Sequence, residues 1–166
     1  MKIAKLLVSG LALAMSTVMV QAQEEELKTF DTVEGWEILI DTTIGNGCLI
    51  NAQFEDGSDV RIGFDRAANT GYLWASNEAW GDIEEGMAYP LSFSLDGEVY
   101  KGEGKGLYID EMPGVDIPFD SMEFLLALAE KNSMELSTDS GPVMTINLAG
   151  TDAALARAIE CQDAQG

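Results

Sequence analysis

Any chemistry in this chain must come from carboxylates. The 166-residue sequence has no histidine and only two cysteines, Cys48 and Cys161, against 29 acidic residues. Ser-His-Asp and Cys-His nucleophilic sites and histidine-ligated zinc are therefore excluded. The acids gather around an aromatic in residues 77–86, NEAWGDIEEG, where Glu78, Asp82, Glu84 and Glu85 surround Trp80. Two acids flanking an aromatic can serve glycoside hydrolysis, one as general acid and the other as base or nucleophile. In so acidic a chain such neighbours also arise by chance, and the loop suits binding better. Trp80 would be a rigid apolar anchor with an acidic rim, and tryptophan is enriched at interface hot spots. The competing placement has Trp80 folded back to cap the sheet as a core residue. The turn Glu55-Asp56-Gly57-Ser58-Asp59 is calcium-friendly in composition but lacks the ligand spacing of a calcium loop, so it reads as a solvated turn. Gly102, Gly104 and Gly106 alternate like a strand and open no helix, unlike a phosphate loop. No catalytic residue, metal set or cofactor is assigned.

The elements that hold this loop follow from the order of the chain. Met1–Ala22 has the form of a secretory signal peptide. Lys2 and Lys5 are followed by the apolar run LLVSGLALAMSTVMV, and Val20 and Ala22 supply the small residues at a cleavage site. That run is too short for the ~20 residues of a membrane-spanning helix, and Glu24–Glu26 follow at once. The expected mature chain therefore begins at Gln23 and is periplasmic or secreted. Cleavage removes Lys2 and Lys5 from the 9 basic residues, leaving 7 against 29 acidic ones, a net charge of −22. Such a field repels nucleic acid and anionic membranes and attracts basic proteins; it also serves solubility. In an exported chain two cysteines are expected to pair, which removes a thiolate nucleophile and ties the first hairpin to the last helix.

Residues 23–35 read as a flexible acidic leader and 36–166 as a single globular domain. Trp36–Ile40 and Cys48–Phe54 are apolar runs around the turn Gly45-Asn46-Gly47. Asp59–Asp65 alternates cleanly, with Val60, Ile62 and Phe64 on one face and Asp59, Arg61 and Asp65 on the other. Tyr72–Ser76, Ala88–Leu95 and Glu98–Ile109 continue the period of two, the last pair joined by the hairpin signal Asp96-Gly97. The glycine row of residues 102–106 should leave a bare sheet surface for a close neighbour, expected to be the helix of residues 122–129. Met112-Pro113-Gly114 and Pro118 mark a loop. The first helix should start at an Asp120 cap with Glu123 three residues on, and bury Met122, Leu125, Leu126 and Ala129, with Phe124 and Leu128 widening the stripe. Strands at Ser133–Ser137 and Val143–Leu148 precede a second helix, Asp152–Gln162, capped by Thr151. Its apolar face is Ala154, Leu155, Ala158 and Cys161, with Arg157 pointing away. These patterns predict an α+β fold: a mainly antiparallel sheet curled towards a sandwich or barrel, with two C-terminal helices packed on it.

The early tryptophan and Cys48, the mid-chain hairpin, Ile117-Pro118-Phe119 before a buried helix, and the strand-to-helix run VMTINLAGTDAALARAI together resemble the small exported proteobacterial proteins of the invasion-associated locus B type. The chain differs from that pattern in having one cysteine pair rather than several and none near Pro118. The resemblance implies a fold and export, and brings no catalytic residues with it. The functional expectation is a non-enzymatic exported binding domain that recognises a cationic envelope or extracellular protein through Trp80, Glu78, Asp82, Glu84 and Glu85. The alternative is a carboxylate-dependent glycan hydrolase.

Overall fold

A computed structural model describes residues 26–81 and 83–166. The signal-peptide reading of residues 1–22, and Asp82, lie outside them. Ten strands form one antiparallel sheet: β1 Leu27–Val33, β2 Trp36–Asp41, β3 Gly47–Gln53, β4 Ser58–Asp65, β5 Thr70–Asn77, β6 Ala88–Leu95, β7 Glu98–Ile109, β8 Met112–Phe119, β9 Ser133–Thr138 and β10 Gly141–Asn147. Helix α1, Met122–Glu130, joins β8 to β9, and α2, Thr151–Ala164, ends the chain. The spatial order is β1-β2-β3-β4-β5-β8-β7-β6-β9-β10. The outermost strands do not pair with each other, so the sheet curls without closing. Alternation drives the curl: Ile38, Ile50, Ile62 and Leu73 from the first half share one buried cluster with Leu91, Phe93, Leu136 and Ile146 from the second. Each such side chain contributes about 1.5–3 kcal/mol when fully buried. The Trp36 indole in β2 donates to the Ala149 carbonyl just beyond β10 at 3.0 Å, linking the two ends of the sheet across the core.

The Cys48–Cys161 disulfide is present, with 6.1 Å between Cα atoms, and holds α2 against β3. Ala154, Leu155, Ala158 and Cys161 are all buried on the helix face read from their spacing. Asp96 and Gly97 both take positive φ, +47° and +92°, the left-handed pair that a two-residue hairpin requires.

Several local expectations are corrected. The stretch 23–35 is not wholly a flexible leader, since Leu27–Val33 is a paired edge strand. Arg157 fixes it: instead of pointing away, it donates to Asp31 at 2.6 Å and lies over the Phe30 ring at 4.7 Å. Residues 112–118 are a strand rather than a loop. Pro113 pairs only with Tyr108 of β7 and Pro118 only with Tyr72 of β5, so each proline sits where β8 has a partner on one side alone and its missing N–H costs no ladder bond. The cap of α1 is Ser121, whose hydroxyl accepts from the Glu123 backbone, in place of Asp120. Thr151 is the first residue of α2, and its cap is Gly150 with φ +79°. Leu128 is the deepest residue of α1, while Leu126 is 57% exposed. Phe124 packs edge-on to Phe93, Tyr100 and Phe119. The neighbour over the glycine row is likewise not α1. A Cβ on Gly106 would lie 2.2 Å from the Glu84 carbonyl oxygen, so the loop between β5 and β6 approaches that glycine, while Cβ atoms on Gly102 and Gly104 would meet the side chains of Phe93 and of Leu91, Val115 and Ile117.

Candidate functional site

That loop carries the tryptophan and acids singled out in the sequence. It leaves β5 through an Asn77 turn: the Asn77 side chain accepts from Ala79 N–H at 2.8 Å and its carbonyl from Trp80 N–H at 2.9 Å. The returning half is pinned from several directions. The Tyr89 hydroxyl accepts from Glu84 N–H at 2.8 Å, and the Tyr108 hydroxyl donates to the Ile83 carbonyl at 2.8 Å. Gly86 and Met87 exchange backbone bonds with Gly106, both at 2.8 Å. Gly106 allows this because no Cβ stands between β7 and the loop. The described parts of the loop thus form a strap pinned to β5, β6 and β7.

Beneath the strap is a cavity of about 290 Å³ whose wall includes Trp80, Ile83, Tyr89, Leu91, Leu136 and Val143. Trp80 and Ile83 are half-buried and pack on the main core. The indole therefore forms cavity wall, between the two placements its sequence context allowed. Glu78, Glu84 and Glu85 are exposed on the strap, and none of them lines the cavity. Three of the four acids are thus exposed on the loop and outside the cavity lining. Sequence reading missed Tyr89 and Tyr108, whose hydroxyls position the strap. The glycine row was the available signal for that contact, with the wrong neighbour attached to it.

Arranged this way, the cavity can accept an apolar side chain beside a loop that carries exposed acids. It offers no convergent pair of buried carboxylates, and among the described residues no three acidic or sulfur side chains gather closely enough to hold a metal ion.

An open, curled antiparallel sheet with a disulfide-tethered terminal helix defines the class of fold. The same fold is seen in the crystal structure of invasion associated protein B from Bartonella henselae, with a TM-score of 0.60 over 80% of this chain and 97% of that one. Sequence identity is 17%, so the likeness is one of fold. No family model and no curated protein matches the sequence.

Proposed function

We propose that this is a periplasmic or secreted, non-enzymatic binding domain that takes an apolar side chain of a cationic protein partner into the Trp80 cavity. The observation that carries the reading is the apolar cavity lined by Trp80 and Ile83 of a hydrogen-bonded strap that also bears the exposed Glu78, Glu84 and Glu85, in a chain of net charge −20. The disulfide fits an oxidising compartment, and no helix among the described residues is long and apolar enough to cross a membrane. Export itself is tested by intact mass, with a chain beginning at Gln23 expected. Charge steering sets the encounter rate, while the buried anchor sets the lifetime of the complex. The exposure of the strap acids weighs against a glycan hydrolase, because a general acid works from a desolvated pocket.

The test begins with capture from the cell envelope at low salt and proceeds to kinetics with the captured protein. Association should slow steeply between 0.01 M and 0.15 M salt, as the Debye length falls from about 30 Å to about 8 Å. Trp80→Ala should raise the dissociation rate, and Glu84→Gln with Glu85→Gln should mainly slow association. A partner that stays bound through about 1 M salt, where the Debye length is about 3 Å, and ignores Trp80→Ala would end the proposal. Glycan turnover abolished by a single acid-to-amide change would replace it with the hydrolase.

A further inference from the structure

A second cavity lies on the sheet face turned away from the main core. Direct cross-strand pairing sets Arg61 of β4 beside Trp74 of β5, Trp74 beside Asp116 of β8, and Asp116 beside Lys105 of β7. The Arg61 guanidinium stacks over the Trp74 ring, 4.9 Å from its centroid. Asp65 sits on the same face of β4, four residues further along, paired with Thr70. Asp41, at the end of β2, and Ile44 close that end. Arg61, Trp74, Asp116, Asp65, Asp41 and Ile44 bound a cavity of about 280 Å³, with Tyr72, Leu107, Ile109 and Pro118 as its apolar wall; Lys105 does not line it. It shares no lining residue with the Trp80 cavity.

Two features separate this cavity from an ordinary solvated charged face. Arg61 forms no ion pair among the described residues, and its Nε is buried without an acceptor. The indole N–H of Trp74, a residue only 1% exposed, is also buried without an acceptor. Neither nitrogen has accessible surface, and the indole N–H lies against Gly114, so what the cavity presents is the rest of the Arg61 guanidinium, stacked on Trp74 and free of any ion pair among the described residues. Among the carboxylates, Asp41 and Asp65 each already accept from their own turns with one oxygen, from Thr43 and Ala68, whereas Asp116 accepts no hydrogen bond among the described residues. Asp116 is desolvated, and burial followed by repulsion from Asp65 raises its pKa despite Lys105. Arg61 and the aspartates thus line one small cavity with no ion pair between them.

We propose that this cavity binds a small zwitterion, a molecule carrying one carboxylate and one ammonium group, of which a free α-amino acid is the simplest. The carboxylate meets Arg61, whose forked donors suit it, and the ammonium meets the Asp65 and Asp116 side. An apolar side chain rests on Tyr72, Leu107 and Ile109. A lone anion would face three aspartates, a lone cation would face Arg61, and a neutral sugar would leave both sets of charges uncompensated. The volume sits at the small end of ligand sites and fits a molecule of amino-acid size. A metal ion is disfavoured because the three aspartates do not converge on one point.

Calorimetric titration of the exported protein with L-leucine, L-lysine and glycylglycine tests this, and distinguishes free amino acids from short peptides. Cadaverine supplies the amine alone and 4-methylpentanoate the carboxylate alone. At least one zwitterion should bind at millimolar concentration or better, with each single-charge analogue about tenfold weaker or more. Arg61→Gln and Asp65→Asn should each weaken binding about tenfold or more, while Trp80→Ala leaves it unchanged. If Arg61→Gln fails to fold, Asp65→Asn, at a half-buried strand end, and the analogue pair decide the matter. Absence of heat from every zwitterion at about 10 mM, cadaverine binding as tightly as lysine, or unchanged binding by folded Asp65→Asn would overturn the assignment.

Discussion

Alanine at Gly106 would put a methyl group into one of the contacts that fix the strap. Its Cβ would lie 2.2 Å from the Glu84 carbonyl oxygen and 3.0 Å from Ile83 Cγ2. Reaching an ordinary separation of 3.4 Å requires the strap to move by about 1.2 Å, the difference between the two distances. That backbone is held by the Gly86 and Met87 bonds to Gly106 and by the Tyr89 and Tyr108 hydroxyls. Losing two to four such bonds at about 0.5–1.5 kcal/mol each gives about 1–6 kcal/mol, while overpacking alone costs about 1–3 kcal/mol. Alanine's smaller unfolded-state entropy offsets about 0.4–1 kcal/mol. The expected net destabilisation is about 2–3 kcal/mol, a midpoint shift on the order of 1–2 M in urea. The control is Gly102→Ala, where the nearest atom is Phe93 Cε2 at 2.9 Å, the end of a side chain that can turn aside. That change should cost no more than about 1 kcal/mol. Urea unfolding followed by circular dichroism reads both. The reasoning fails if Gly106→Ala falls within about 0.5 kcal/mol of wild type, or costs less than Gly102→Ala.

Four further outcomes are expected. Replacing Cys48 and Cys161 together by alanine opens a loop with a sequence separation of 113, and should lower stability by about 2–4 kcal/mol, below the chain-entropy ceiling of about 5 kcal/mol, with the same urea titration as readout. Asp116 has a folded pKa raised above 3.8 by burial, so the folded state binds the extra proton and stability falls as pH rises through that window. Asp116→Asn should therefore raise the melting temperature near neutral pH, with the gain shrinking as pH falls towards the ordinary aspartate value. Arg157→Ala removes the contacts to Asp31 and Phe30, and should speed amide exchange in residues 27–33 while leaving β4 and β5 protected. Asp31 is held below its usual pKa mainly by the Arg157 hydrogen bond, so the same edge strand should loosen as pH drops through that lowered value.

Strand alternation made most of the sheet legible from the sequence, because a period of two needs only local information. Val60 and Ile62, or Leu91 and Phe93, declare their inward face without reference to any partner, and both pairs are buried as their spacing required. The i, i+4, i+7 spacing likewise put Cys161 on the face that meets Cys48. Local signals failed where the partner supplies the stability. Strand β1, LKTFDTV, lacks a period-two apolar pattern and is held by Arg157, which lies 126 residues beyond Asp31. Strand β8 carries two prolines and follows a turn, Asp110 and Glu111 at φ +52° and +68°, that contains no glycine to announce it. The Trp80 loop was visible as composition, but its half-burial was not, because Gly106, Tyr89 and Tyr108 fix it from other strands. The cavity around Arg61 was invisible altogether. Arg61, Trp74 and Asp116 are separated by long stretches of chain and become neighbours only through the registers of β4 with β5 and of β5 with β8. Side-chain direction is written residue by residue, whereas register depends on pairing between distant segments, so it was settled only when the sheet assembled.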